Sequence, residues 1–315
     1  MYELKPVPPI FNPSNDMALA APDRQEYSPP KLIRQMEEDL AGLASYWDYG
    51  PWGWSRQTRR RYERMGIDRS LLPDDEWLDE VKRLSSREFA VGYIKELLNK
   101  FKSELLLGDE MQFHADLTGI RSDRIFKSLW SSSGRGIFTP HGLSKEHLNE
   151  RLQALLKAHG GYVSDRFYES RQQDFALEFF VDAGGKVEFL GYSVFAADTN
   201  GTYKYNIVDS QERLRSNIPV PDDILQALVD YHKAHLGTTD YRGYVGIDMF
   251  TTADGRIHPV VEINFRMNMG ILALNLFRLF GANANVLLTP HRENGFEAKI
   301  EEGKLQLIKS ASTNK

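Results

Sequence analysis

Asp248, Glu262, Asn264 and Arg266 stand in two short apolar runs, Gly243 to Phe250 and Pro259 to Gly270, separated by an Asp254-Gly255 turn signal. Apolar runs joined by Asp-Gly predict an antiparallel hairpin. Side chains on a strand alternate between faces, so Glu262, Asn264 and Arg266 share one side, and a loop of two or three residues sets Asp248 opposite Glu262 within about one position. Two carboxylates and an amide oxygen then converge. They repel unless a cation sits between them, and hard oxygen ligands suit Mg²⁺ or Mn²⁺. The same residues allow a second reading, in which Glu262 and Arg266 form a surface ion pair worth ~0 to 1 kcal/mol.

Upstream, residues 124 to 138 form a short apolar strand carrying Lys127, followed by Ser131, Ser132, Ser133, Gly134, Arg135 and Gly136. Glycines let a backbone approach a phosphate closely, and backbone N–H groups with serine hydroxyls donate to its oxygens. Lys127 adds a point charge for the same oxygens. The spacing is neither that of a Walker A loop nor the G-x-G-x-x-G of dinucleotide folds. Taken alone, the loop also reads as a plain flexible turn.

A lysine-bearing strand with a Ser/Gly loop, followed at a distance by a D…E-x-N-x-R hairpin that closes on Gly270, resembles the ATP-grasp family of carboxylate–amine ligases. The resemblance covers roughly residues 85 to 280 and lies in the order of the motifs. It implies an α+β fold in which two α+β subdomains clamp ATP, with two Mg²⁺ ions on the phosphates, and in which a carboxylate becomes an acyl phosphate before an amine attacks it. A smaller α/β leading domain precedes them. Lys127 resembles the lysine on the phosphates, and Ser131, Ser132, Ser133, Gly134 and Gly136 the mobile loop over them. Asp248, Glu262 and Asn264 resemble the metal ligands, Glu262 bridging, and Arg266 the arginine facing the transferred phosphate. Tyr162 to Phe167 and Gln173 to Val181 resemble the hinge, with Asp165, Phe167 and Asp174 at the nucleotide; the family more often has Glu where Asp165 stands.

Two positions depart from the family. Where its earlier phosphate-binding lysine starts a helix, this chain has Arg87, which keeps the charge but prefers a planar, two-pronged contact. Where several amino-acid ligases carry an arginine two residues before the metal-binding Asp, this chain has Gly246. The substrate arrangement of the D-alanine ligases does not carry over.

The 315 residues are 41% hydrophobic, enough for a large core in two or three compact units. A net charge of −5 offers no global basic field for nucleic acid or a membrane surface. Zero cysteines exclude disulfides, thiolate chemistry and cysteine-ligated metals. Met1 to Pro9 lacks a signal-peptide apolar core, and no run approaches the ~20 apolar residues of a membrane span. The expected setting is the cytoplasm, and the expected partners are a small-molecule carboxylate and an amine.

The expected organisation is a leading substrate-side domain over 1–115, an ATP-grasp domain over 116–300 with subdomains at about 116–162 and 163–290, and a polar tail over 301–315. In the leading part, Ile10 to Ala20 reads as a strand end turning through an Asx-rich loop, and Leu32 to Trp47 shows helical spacing after Pro29-Pro30. The tryptophans at 47, 52 and 54 read as packing. Arg56, Arg59, Arg60, Arg61 and Arg64 read as a solvated helix face, with Glu63 and Asp74 to Glu80 close by. Ser85-x-x-Glu88 fits a capping box ahead of an apolar face from Phe89 to Phe101. Ser144 starts and Gly160-Gly161 ends a second helix. Residues 174 to 198 read as a hairpin, another helix follows Pro221, and the helix from Gly270 to Phe280 reads as buried.

His232 and His235 sit at a metal-compatible spacing without a third ligand, so the pair reads as surface or satisfied histidines. Tyr203, Asn206, Arg213 and Arg215 are candidates for the substrate, arginine suiting its carboxylate. The resulting expectation is an ATP- and Mg²⁺-dependent ligase of amino-acid or peptide-like molecules, with Lys127 and Arg266 catalytic and with Arg87 and the loop on the nucleotide. A small-molecule kinase and a nucleotide-binding module without turnover are the alternatives.

Overall fold

The computed structural model describes residues 51, 53–64, 66–118, 120–121, 123–131, 136–197, 203–280, 286–288, 296–301 and 304–309, with backbone alone at 276, 279, 280 and from 286 onward. The expectations for residues 10–47, Trp52, Ser132, Ser133, Gly134 and the 310–315 tail lie outside the described residues, as do residues 1–50 of the expected leading domain.

Several helices in this chain start where a serine or aspartate side chain holds a free backbone N–H. The first described elements are helices: α1 (Arg56–Arg64), α2 (Asp75–Leu84) and α3 (Arg87–Phe101). Asp74 caps α2 by accepting from the Trp77 N–H. Arg56 binds Asp75 and Asp79, and Arg59, which is buried, binds Asp75, so these two arginines are matched by the acidic run beside them. Trp54 meets Tyr62 edge to face at 5.5 Å, a packing contact as expected. The capping box is displaced by one residue: Ser86, not Ser85, caps α3 by accepting from the Glu88 N–H, while Ser85 ends α2. Adjacent serines offer the same chemistry, and the close of α2 decides which is free to cap.

Two mixed units follow. The smaller combines β1 (Gln112–His114), β2 (Arg124–Ser128), β3 (Ile137–Phe138) and β4 (Tyr162–Arg166) in the order β1-β4-β2-β3, all antiparallel. Helix α4 (Lys145–His159), capped by Ser144 and ended by Gly160 in the left-handed region at φ 76°, lays Leu148 and Leu152 against Phe126 and Tyr162. Because β4 pairs with β1 and β2, this sheet runs from 112 to 166, and the chain passes between sheets at 167–170, not at 162/163.

The larger sheet has the order β10-β7-β6-β5-β8-β9, built from β5 (Arg171–Val181), β6 (Val187–Ala197), β7 (Tyr203–Val208), β8 (Gly243–Thr252), β9 (Ile257–Asn264) and β10 (Val286–Leu288). Between them come α5 (Gln211–Ser216), α6 (Asp222–Leu236) and α7 (Met269–Phe280), and β11 (Phe296–Glu301) pairs with β12 (Lys304–Lys309). The two faces of β5 differ in kind. Phe175, Leu177, Phe179 and Val181 point into the main core beneath α3 and α6, whereas Asp174, Ala176 and Glu178 alternate onto the other face. His232 of α6 belongs to the core side, buried with its Nδ1 2.7 Å from the Tyr93 hydroxyl, and His235 pairs with Glu96. Among the described residues neither histidine joins a group of three potential metal ligands. Among the described residues no helix is long and apolar enough to cross a membrane.

Leu177 is fully buried at the centre of that core. Leu177→Ala should cost about 2 to 5 kcal/mol, measured as a lower denaturant midpoint with an unchanged slope.

Candidate functional site

The register of the larger sheet builds the site. Asp248 of β8 pairs directly with Glu262 of β9, and Gly246 pairs with Asn264. On β5, Ala176 faces Asp248 and Glu178 faces Gly246. Cross-strand partners share a face, so Asp248, Glu262, Asn264 and Glu178 stand together. Burial, then the charges of Glu262 and Glu178, push the Asp248 carboxyl well above its ordinary range, only partly offset by Arg266 and by a hydrogen bond with Asn264. Arg266 donates to Asn264 Oδ1 at 2.8 Å and to the Met267 carbonyl at 3.1 Å.

Arg87 closes this acidic row from the other side. Its Nη2 is 2.8 Å from Glu262 Oε2, and its Nη1 donates at 2.7 Å to both the Ser128 carbonyl and the Ser131 hydroxyl. A planar guanidinium holds three acceptors at once, which an ammonium on a flexible stem does less well. It stands at the start of α3, and its own N–H donates to Leu129 O. Arg87 therefore ties the helix, the base of the Ser/Gly loop and the hairpin together. Its Nε has no partner among the described residues and is the donor left over. The loop re-enters at Gly136, φ 73°, whose carbonyl accepts from the Ser128 N–H; a Cβ there would come within 2.6 Å of Ser128 Oγ. Ser85, Trp130, Ser131, Glu262, Asn264 and Arg266 line a small cavity between the loop base and the hairpin.

A second polar link crosses between the sheets. Lys127 on β2 pairs with Val163 on β4, so Lys127 and Asp165 share the face turned toward the larger sheet. Lys127 Nζ is 3.4 Å from Asp165 Oδ2, and His258 Nε2 of β9 is 3.1 Å from the same oxygen. Burial lowers the Lys127 ammonium below its usual value against the pull of Asp165. For Asp165, burial alone would raise the carboxyl, but His258, Lys127 and the Arg166 N–H together hold it below the usual range. His258 stacks on Phe250 with centroids 5.0 Å apart, fully buried, its Nδ1 without a partner among the described residues.

No protein-family model matches this chain, and no curated protein does. Solved structures do. Pyruvate carboxylase of Rhizobium etli superposes with a TM-score of 0.53 at 15% identity, over 84% of this chain and 23% of its own. The chain has the ATP-grasp fold. The biotin carboxylase domain of Hydrogenobacter thermophilus 2-oxoglutarate carboxylase, solved with MgADP and bicarbonate, matches at 0.46 and 14% identity over 83% of this chain and 60% of its own. The carboxyaminoimidazole ribonucleotide synthase of Aspergillus clavatus, solved with ATP, matches at 0.45 and 16% over 70% and 58%. The chain thus spans less than two thirds of the length of each of these proteins.

On the ATP-grasp frame, the expected residues divide. Asp248, Glu262, Asn264 and Arg266 are brought together, and Arg87 and Ser131 meet them. Lys127 and Asp165 meet each other and His258. Asp165 does not stand open at the hinge, since Lys127, His258 and the Arg166 N–H occupy its oxygens. Phe167 is exposed between the sheets, and Asp174 is held by Arg171 and the Ala197 N–H. Asn206 is buried in β7, and Tyr203 begins that strand. Arg213 is exposed beside Asp209. Arg215 differs from expectation: its guanidinium donates to Ile218 O, Val220 O and Asp222, so it clips the turn after α5 instead of reaching for a substrate carboxylate.

Sequence reasoning passed over Glu178 and His258. Each is a polar residue inside an apolar strand, and that was the available signal. Among the described residues no three His, Cys, Asp or Glu side chains form a metal cluster. The donor set is instead two carboxyls and an amide, with the Glu178 carboxyl beside them, and hard oxygen donors whose ionisation is held back by burial and by one another fit a divalent cation.

Burial pushes the Glu178 carboxyl from 4.5 up to about 7, against hydrogen bonds from Asn268 and Ser193 and the charge of Arg266. The folded state then binds this proton more tightly than the unfolded chain, so its contribution is complete below pH 4.5 and is lost as pH rises to about 7. Relative to Glu178→Gln, the parent protein should lose about 3 kcal/mol of stability across that window and nothing further above it, read from denaturant melts at a series of pH values.

Proposed function

We propose that this chain is an ATP- and divalent-metal-dependent ligase that joins a small-molecule carboxylate to an amine in the cytoplasm. The observation that carries the reading is the Asp248–Glu262 pair, flanked by Asn264 and Arg266 and tied through Arg87 to Ser131 at the base of the Ser/Gly loop.

Asp248, Glu262 and Asn264 would hold Mg²⁺ or Mn²⁺, which neutralises phosphate charge when bound. Arg87 and Lys127 meet the phosphate oxygens from the loop side. Both already sit beside carboxylates, Arg87 on Glu262 and Lys127 on Asp165, so a nucleotide substitutes its own oxygens for existing partners and no bare cation waits in a dry cleft. Arg266 stands at the far end of the acidic row, where charge builds on the transferred phosphoryl group. A carboxylate oxygen attacks the terminal phosphorus and ADP leaves. The amine nitrogen then attacks the acyl carbon, phosphate leaves, and the nitrogen gives up a proton. Ser131 and Gly136, the described ends of the Ser/Gly loop, would stand beside the phosphates. Asn206, Tyr203 and Arg213 remain candidates on the acceptor side.

A non-hydrolysable ATP analogue with Mg²⁺ at about 100 times Kd should add ~2.7 kcal/mol, a rise in Tm of roughly 5 to 10 °C, and Glu262→Gln should abolish the metal-dependent part. A parent protein whose Tm ignores nucleotide and metal would end this reading. Given binding, product analysis separates ligase from kinase: free phosphate with an amide marks the first, a phosphorylated substrate the second.

A further inference from the structure

Glu178 is 1% exposed in the middle of an apolar strand, and the reaction outlined above leaves it without a task. Its surroundings are shaped around it. Ser193 Oγ donates to Oε1 at 2.7 Å, and Asn268 Nδ2 donates to Oε2 at 2.8 Å. Both walls are glycine. A Cβ on Gly246 would lie 1.9 Å from Asn268 Nδ2 and 2.6 Å from Glu178 Oε2; one on Gly270 would lie 2.1 Å from Glu178 Oε1 and 2.3 Å from Ser193 Oγ. Neither glycine has a positive φ, so space for this contact, not backbone freedom, calls for their lack of a side chain.

Asn268 is the link to the site. Its Oδ1 accepts from the Ile271 N–H at 2.9 Å and its carbonyl from the Leu272 N–H, so it sets where α7 starts. It lies two residues after Arg266 and four after Asn264, on the short turn between β9 and α7. Arg266 also binds within this turn, through the Met267 carbonyl. The turn is therefore pinned at one end by the β8–β9 ladder and at the other by the Glu178–Asn268 hydrogen bond.

We propose that Glu178 is a positioning residue that acts through Asn268 to fix the β9–α7 turn, and thereby the place of the Arg266 guanidinium relative to Asp248 and Glu262. The proposal rests on the function given above only for the consequence in catalysis. The geometric claim stands apart from it. Gly246 fits the same logic: a larger residue there would displace Asn268, so an arginine at this position and the Glu178–Asn268 pair exclude each other.

The test reverses the hydrogen bond. In Asn268→Asp the two facing carboxylates repel once both are ionised, while the substituted side chain can still accept from the Ile271 N–H. Adding Glu178→Gln restores a donor between them. The readouts are the Arg266 Nε–Hε resonance in nitrogen-15 spectra, assigned with Arg266→Lys, and the kcat and KM for ATP in phosphate release. At about pH 10, far enough above neutral for both carboxyls of the pair to ionise, Asn268→Asp should shift the resonance and lower kcat by up to on the order of 100-fold, the loss typical of ~1 Å of misplacement, with the KM for ATP changed far less. The double variant should return both. Lowering the pH to about 6, where the carboxyl pair can share a proton, should return the resonance in Asn268→Asp. A resonance unmoved in folded Asn268→Asp, or a double variant that regains the parent Tm but not the parent resonance, would overturn the proposal. If the parent protein binds no nucleotide, the functional reading falls, and the resonance still decides the positioning claim.

Discussion

Two acidic side chains facing each other across β8 and β9 repel, and the rest of the site is organised around offsetting that repulsion. Asp248 responds by holding its proton more tightly. Glu262 is matched by Arg87 at 2.8 Å, and Asn264 accepts from Arg266. The first of these is a long-range match. Arg87 and Glu262 are 175 residues apart in sequence, so the guanidinium joins the start of a helix to the end of a hairpin, and it takes in Ser131 on the way. A buried pair is weak evidence for stability, because desolvation consumes most of the attraction. Its value here is geometric: it holds the loop base and the acidic row in one frame before any ligand arrives.

The second crossing has a different character. Asp165, Lys127 and His258 are all nearly fully buried, and the chain changes sheets just after β4. A carboxylate that accepts from residues of both sheets fixes their separation at the place where a hinge is expected. Opening there would strip Asp165 of part of its hydrogen bonding in a low-dielectric interior, which is costly.

Much of this was legible in the sequence because it depends on short-range rules. Alternation with period two and an Asp-Gly turn place Asp248 opposite Glu262, and the observed register obeys. A serine, an apolar stripe and a Gly-Gly end gave α4 to within a residue. Failures came where two local solutions compete or where topology decides. Ser85 and Ser86 are chemically equivalent caps until the end of α2 is known. The division at 162/163 missed because nothing local says that Tyr162 to Arg166 pairs backward with β1 and β2. Arg215 looked like a ligand for an anion, yet backbone carbonyls a few residues on satisfy its donors. Glu178 and Asn268, 90 residues apart, become partners only once β5 and α7 are in place.

Arg87 shows how a departure from a family pattern can be read physically. A lysine at the start of α3 would supply one point of positive charge with three rotatable donors; the guanidinium spreads its charge over a plane and meets a carbonyl, a hydroxyl and a carboxylate together. On the proposed function, phosphate oxygens at this corner would meet a cation already oriented by three acceptors, with Nε still to be satisfied. Less side-chain freedom is then lost on binding, because the ordering has been done by the fold. The same arrangement exacts a cost, since each acceptor that holds Arg87 in place competes with the ligand for it. Glu262 is the acceptor best able to let go: on the proposed function, a divalent cation held by the acidic row would take up the Glu262 charge and weaken its hold on the guanidinium. Metal and phosphate would then bind with positive cooperativity through one arginine, a coupling that follows from the ion pair itself and needs no rearrangement of the sheets.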